Sequence, residues 1–339
     1  MPALSIIIPV YNRGEMIRYT LASVDRASQG LDVETIVVDD GSAPPVEDTL
    51  SVLSWKPSVL IRQKNQGLLF ARLAGLTKAS GRYTLFLDSD DLVDAAKFRL
   101  QVEAMERSGA DVSYTDTARC VLEGPVDDLR PTPDAPCPDE SQSAPFFIGV
   151  QPAPHSPIFR TEYLQRIVDE AFFPPSPLYN PVAEIWFYHN AAPRPAKVIK
   201  VPGALTIVGQ HAGGRLTDHW EHLGVASLAV MEAFARSVPS VDGTAESRCL
   251  VGEKAFNSWR RLPKGISREL AERHLALWSR LSPERLDRLG GRVFSHIAGV
   301  LGPRWTGRLF KALQNPPYAS MRTMSDSALA DLLRALPPP

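Results

Sequence analysis

Apolar residues arrive in short runs over the first third of the chain, and each run stops at polar or charged residues. The runs at residues 4–10, 33–38, 59–63, 83–87 and 112–115 read as strands. Between them apolar positions recur at helical spacing: Met16, Ile17, Leu21 and Val24, then Phe70, Leu73, Ala74 and Leu76, then Phe98, Leu100, Val102 and Met105. Such alternation predicts an α/β fold with a doubly wound, mostly parallel sheet. Gly81 fits the C-terminal position of the helix before the fourth strand.

Further along, residues 124–145 hold six prolines, several acids and no period, which predicts a long surface loop. Residues 156–167 read as a strand and a helix, 181–191 as a helix opened by Pro181, and 204–210 as one more strand. From Leu216 onward the spacing is helical, through Leu223, Leu228, Met231, Phe234, Phe256, Trp259 and Trp278. The expected division is a sheet domain over residues 1–216 and an all-helical C-terminal domain over residues 217–339. At 339 residues and 44% hydrophobic content the chain exceeds the size at which one core usually splits.

The candidate chemistry sits where the strands end. Leu85-Phe86-Leu87-Asp88-Ser89-Asp90-Asp91 drives an apolar strand into three carboxylates within four residues. Such crowding is unfavourable unless a cation compensates it, and Asp-x-Asp oxygens suit Mg2+ or Mn2+, which keep positions open for a diphosphate. The plainer alternative is that these acids end the strand and that Asp91 or Asp94 caps the next helix. Ser5-Ile6-Ile7-Ile8-Pro9-Val10-Tyr11-Asn12 and Thr35-Ile36-Val37-Val38-Asp39-Asp40-Gly41-Ser42 are built the same way, and Asn65-Gln66-Gly67 opens a helix carrying Arg72. In open α/β sheets ligands bind beyond the carboxyl ends of the strands, so these endings are expected to share one crevice.

With SIIIPVYN, IVVDDGS, NQGLLFARLAGL and GRYTLFLDSDD in that order, the chain resembles the inverting glycosyltransferases of family 2, which have the GT-A nucleotide-sugar fold. The resemblance implies that Pro9, Val10 and Tyr11 line the base pocket, with the tyrosine ring against the nucleobase. It gives Asp39 and Asp40 to the nucleotide, the second acid accepting a ring N–H of uracil or thymine. Arg72 resembles an arginine that reaches base or phosphates, and Asp88 and Ser89 fall where the nucleotide is contacted. Asp90 and Asp88 match metal-binding positions, His211 is a third candidate ligand or else a loop histidine bonded to backbone, and the implied cofactor is Mn2+ or Mg2+. Glu184, in Pro181-Val182-Ala183-Glu184-Ile185-Trp186-Phe187, resembles the family's general base, although Ala183 stands where a first acid is usual. Glu162, Asp169 and Glu170 are alternative bases.

The function implied is metal-dependent, inverting transfer of one sugar from a UDP- or dTDP-linked donor to an acceptor hydroxyl, in surface polysaccharide or glycoconjugate synthesis. Two alternatives stand beside it. One is a non-catalytic nucleotide-sugar-binding or scaffold protein. The other is a sugar-1-phosphate nucleotidyltransferase, disfavoured because Tyr11-Asn12-Arg13-Gly14-Glu15 replaces a Gly-rich basic loop. The absence of a Q-x-x-R-W motif points to single transfer rather than polymerisation. The cluster Asp218-His219-Trp220-Glu221-His222 lacks a zinc-protease spacing and reads as helix surface.

Location and partners follow from charge and hydropathy. No apolar run reaches the roughly 18 to 20 residues that span a bilayer, and a strand beginning at Leu4 leaves no room for a signal peptide, so a cytoplasmic protein is expected. Three cysteines without a C-x-x-C pair read as inert thiols. A net charge of −1 gives no reason to expect a nucleic-acid partner, but it hides an uneven distribution: residues 260–322 hold thirteen lysines and arginines against four acids. There Arg285, Arg288, Arg292, Arg304, Arg308 and Lys311 alternate with Leu289, Val293, Phe294, Leu301, Trp305, Leu309 and Phe310. The pattern fits either a peripheral contact with the inner membrane surface, suited to a lipid-linked acceptor, or a helical bundle with solvated arginines.

Overall fold

The computed structural model describes residues 1–53, 56–211, 219–282 and 288–338. The expected boundary at residues 216 and 217, Asp218 and Arg285 lie outside the described residues. The chain forms two compact units, one of residues 1–171 with 195–213, the other of residues 172–194 with 214–339.

In the first unit a seven-stranded sheet runs in the order β10-β6-β9-β4-β1-β2-β3. These are β1 (Leu4–Val10), β2 (Val33–Asp39), β3 (Val59–Arg62), β4 (Tyr83–Phe86), β6 (Val112–Tyr114), β9 (Ile158–Arg160) and β10 (Val198–Lys200). Every residue of β1 is buried, as a strand covered on both faces requires. It pairs in parallel with β2, Val10 opposite Asp39, and with β4, Ile7 opposite Phe86, so three acid or aromatic strand ends emerge on one edge. The doubly wound, mostly parallel sheet is present, with one exception: β9 lies antiparallel between β4 and β6.

Helices α1 (Gly14–Ala27), α2 (Val46–Ser51), α3 (Leu68–Leu76), α4 (Lys97–Ser108) and α5 (Thr161–Asp169) connect these strands. α1 buries Ile17, Leu21 and Val24, the i, i+4, i+7 stripe expected from its sequence. α4 ends on Gly109 in the left-handed conformation, φ 68°, whose N–H donates to Met105 O at 2.8 Å. Gly81 has a different role from the helix end expected of it. α3 stops at Leu76, and Gly81 packs on β1, where a Cβ would stand 2.7 Å from Ser5 N.

A second, four-stranded sheet, order β5-β11-β7-β8, was not anticipated: β5 (Leu92–Val93), β7 (Thr117–Val121), β8 (Thr132–Pro133) and β11 (Thr206–Gln210). β8 belongs to the proline-rich stretch, which is tied down along its length. Arg26 pairs with Asp127 at 3.1 Å, Arg119 with Asp134 at 2.9 Å, and Tyr114 Oη donates to Pro138 O at 2.8 Å. Burial and the neighbouring Asp116 carboxylate push the Cys137 thiol up to about 11, in keeping with an inert thiol.

The second unit comprises α6 (Ala183–Ala191), α7 (Trp220–Ser237), α8 (Ala245–Arg261), α9 (Arg268–Leu281), α10 (Arg292–Leu301), α11 (Pro303–Gln314) and α12 (Asp326–Arg334). Residues 172–194, assigned to the sheet domain on sequence, belong here because α6 is apolar on nearly all sides and packs against α7, with the His189 ring edge-on to Phe234 at 5.7 Å. Pro181 does not open α6; it lies inside a preceding 3₁₀ turn, Pro177–Val182. Glu221 is buried rather than on the helix surface, its carboxylate accepting Thr323 N at 2.7 Å. Among the described residues no helix is long and apolar enough to cross a membrane.

Candidate active site

The ends of β1, β2 and β4 carry the residues singled out on sequence, and the structure treats them differently. At β2, Asp39 is wholly buried and holds its own loop. Its Oδ1 accepts Ser42 N at 2.8 Å and its Oδ2 accepts Val46 N at 3.1 Å, the first residue of α2, with Arg62 Nη1 at 3.4 Å from the same oxygen. Asp40 reaches the other way. Its Oδ1 accepts Gln63 Nε2 at 2.7 Å and Gln66 N at 2.9 Å, and its Oδ2 accepts Gly67 N at 2.8 Å. Gln66 and Gly67 immediately precede α3, so the carboxylate sits at that helix's N-terminus, where its dipole favours negative charge. Three of about four acceptor positions are then taken, leaving room for one further donor.

At β1, Pro9 and Val10 are buried and Tyr11 is half exposed. Asn12 links the two loops: its N–H donates to Ser42 Oγ at 3.0 Å and its Oδ1 accepts Ala43 N at 2.9 Å. Tyr11, the residue that follows β1, keeps half of its surface exposed, as a stacking platform needs.

The acid run after β4 is bound into both sheets of the unit. Arg72, fully buried on α3, donates from Nη2 to Asp88 Oδ1 at 2.7 Å, and its guanidinium lies 5.7 Å from the centre of the Phe86 ring. Ser89 is buried. Asp91 turns inward, accepting Gly209 N at 2.8 Å on Oδ1, with His155 Nδ1 3.0 Å from Oδ2. Leu92 and Val93 then pair antiparallel with Ile207 and Thr206, which fixes β11 against the acid loop. Position 209 admits only glycine, since a Cβ there would stand 2.0 Å from Asp90 O. Two residues later His211 Nε2 lies 2.9 Å from Asp90 Oδ2. The hairpin-like clamp of β5 on β11 is therefore what brings a histidine 121 residues away onto Asp90.

Two ligands held at right angles about 2.1 Å from one ion stand about 3.0 Å apart, so the Asp90 and His211 spacing suits neighbouring positions on Mn2+ or Mg2+. Asp88 is directed to Arg72 instead, and among the described residues no group of three His, Cys, Asp or Glu has metal-ligand spacing. Two protein ligands with the remaining positions left to water and phosphate oxygens is the usual way a hard cation of this size is held.

Two polar residues behind the loop, His155 and Lys97, had no clear signal in the sequence. His155 is fully buried; burial pushes its imidazolium down to about 4, against the opposing pull of the Asp88 charge, and its Nε2 is 3.3 Å from Ile207 O. Lys97, also fully buried, donates from Nζ to Ser156 O and Thr206 Oγ1, each at 3.0 Å, and burial pushes its ammonium well below its ordinary range. Asp91 was visible as part of the acid run, but its inward role depends on strands 60 and more residues away.

The candidate bases separate by element. Glu162 follows Arg160, which pairs with Tyr83 at the start of β4, so it lies at the edge opposite the acid loop. Asp169 and Glu170 are exposed at the end of α5. Glu184 lies in the helical unit, in the first turn of α6, where it and Ile185 are the two positions not buried.

Comparison with known proteins agrees with the motifs. Residues 5–163 match the model of the family described as Glycosyl transferase family 2. An uncharacterized glycosyltransferase of Rickettsia bellii is 36% identical over 124 residues, covering 36% of this chain and 18% of that protein. The succinoglycan biosynthesis protein ExoO of Rhizobium meliloti is 30% identical over 128 residues, covering 37% of this chain and 36% of its own. The chain thus spans less than two fifths of either curated relative. Among solved structures, S. aureus TarS 1–349 in complex with UDP-GlcNAc superposes with a TM-score of 0.64 at 18% identity, over 95% of this chain and 93% of that one. That likeness is one of fold, and the α/β GT-A architecture expected from the sequence stands with it.

Proposed function

Taking as premise that residues 5–163 are a glycosyl transferase family 2 domain, we propose that this chain transfers a sugar from a nucleotide-diphosphate donor to an acceptor hydroxyl, with inversion and with a divalent metal. The observation that carries the reading is the Asp90 and His211 pair, 2.9 Å apart beside Asp88 at the end of β4. UDP-GlcNAc is the first donor to test, because the TarS structure holds it.

In this reading the nucleobase stacks on Tyr11, and a ring N–H takes the acceptor position that Asp40 has left. Asp88, held by Arg72, orients the ribose, and Asp90 with His211 would hold Mn2+ or Mg2+. The metal would supply positive charge against the diphosphate as it departs. Arg72 fixes the direction of the Asp88 carboxylate and sets a positive charge beside the acid run. Glu184 takes the proton from the acceptor hydroxyl; what supports it is the sequence resemblance and its being a half-buried carboxylate in the first turn of a mostly buried helix. A saccharide acceptor of a cell-surface polysaccharide fits the naming of ExoO.

Release of UDP from UDP-GlcNAc in the presence of Mn2+ tests the reaction, with a chelator as control. Glu184→Gln is expected to keep donor affinity and lower transfer about 10²- to 10⁴-fold. Transfer at the wild-type rate would remove Glu184 and bring Asp169 and Glu170 forward.

A further inference from the structure

We propose that the α10–α11 hairpin is a docking face for an anionic lipid surface. The two helices meet at Gly302, φ 78°, and close inward through small or buried residues. Phe294 and Ala298 of α10 and Thr306 and Gly307 of α11 are buried, and a Cβ on Gly307 would stand 2.3 Å from the Trp259 ring. The outward side is not polar. Val293, Val300, Leu301, Trp305, Leu309 and Leu313 are all exposed, Val300 to 80% and Leu313 to 75%. Residues 293, 300 and 301 share one side of α10, and 305, 309 and 313 share one side of α11, so each helix carries an exposed apolar stripe apart from the residues it buries. An apolar patch this concentrated marks a contact with something outside the unit.

Charge selects the occupant. Residues 288–325 contain six lysines and arginines and no aspartate or glutamate. Arg308 borders these apolar side chains, its guanidinium 5.0 Å from the centre of the exposed Trp305 ring. Apolar side chains pointing outward with arginine and lysine stems lying along them is how an interfacial helix enters the headgroup region while its charges meet anionic lipid. A second copy of the chain is a poorer partner, because a two-fold contact would set the same six cations against one another. Neither helix reaches the length a bilayer span needs, so the contact lies on the surface.

This proposal does not rest on glycosyl transfer, and its test needs no activity. The full chain is mixed with vesicles of phosphatidylglycerol and phosphatidylcholine, or of phosphatidylcholine alone, and sedimented. The wild type should pellet with the anionic vesicles at low salt, release as salt screens the contact, and stay in the supernatant with the neutral ones. Val300→Glu with Leu313→Glu should weaken anionic-vesicle binding by about tenfold or more while leaving the melting curve unchanged, since both side chains are exposed. Recovery of the wild type in the supernatant with both vesicle types would overturn the proposal. So would a concentration-dependent dimer, abolished by the same double substitution, in a protein that ignores vesicles.

Discussion

The acid pair after β2 and the acid run after β4 look alike along the chain, each closing an apolar strand with adjacent carboxylates, but their surroundings separate them. Asp39 and Asp40 are 1% and 3% exposed, and their oxygens accept four backbone N–H groups and a glutamine amide. The side chains of Asp88 and Asp90 are 25% and 26% exposed, each meeting one charged or titratable partner, Arg72 or His211. The first pair holds two loops and the start of a helix, with a single acceptor position left on Asp40. The second keeps oxygens facing solvent, where a ligand can take them. Carboxylates ending neighbouring strands can therefore divide scaffold from chemistry, and the division is made by donors supplied from elsewhere in the fold.

The comparison breaks most visibly in stability. Asp39→Asn puts an amide N–H against a backbone N–H of Ser42 or Val46, and Asp40→Asn does the same at Gln66 or Gly67. Hydrogen bonds to a charged group contribute about 1.5 to 3 kcal/mol each, so each substitution is expected to cost roughly 3 kcal/mol in urea unfolding. If the loss instead follows substitution of Asp90 and spares Asp39, the roles given to the two regions are reversed.

A smaller effect sharpens the contrast through pH. The β2 loop is braced by backbone and side-chain amide groups, whereas the β4 loop rests on a histidine, His155. The folded imidazole protonates only at about 4, against 6.5 for the ordinary group, because burial disfavours its charged form. The unfolded chain binds the proton first as pH falls, so this stability is complete above 6.5 and is lost progressively between 6.5 and 4. At pH 5 the loss is roughly 2 kcal/mol. Buried His189, at about 3, and His274, at about 4, act in the same direction in the helical unit, so His155→Asn should remove only its share of the slope between pH 7 and pH 5. An unchanged slope would show that His155 is not held neutral.

What could be read from the sequence were features set by local pattern. β1, β2, β4 and β6 lie where apolar runs ended in polar residues, because buried parallel strands need continuous apolar sequence; β3, found the same way, is a partly exposed edge strand. β5 and β8 have two residues each, too short to show a period, so the second sheet was missed, and the antiparallel place of β9 depends on pairings that no local pattern encodes. Residues 183–191 read as a helix, but nothing local told that it would pack with α7. In the site, Asp88, Asp90 and His211 were named from motif positions. The Arg72 contact that directs Asp88 away from Asp90, and the His155 and Lys97 burials, depend on long-range packing that no short motif encodes.

Calorimetric titration of UDP in the presence of Mn2+, run on the wild type and on Asp90→Asn alongside their melting curves, tests the division between the two acid regions most directly. The wild type should bind, and Asp90→Asn should show no metal-dependent heat while melting at the same temperature or slightly higher, since one of three crowded carboxylates is gone. Unchanged UDP affinity in Asp90→Asn would contradict the account.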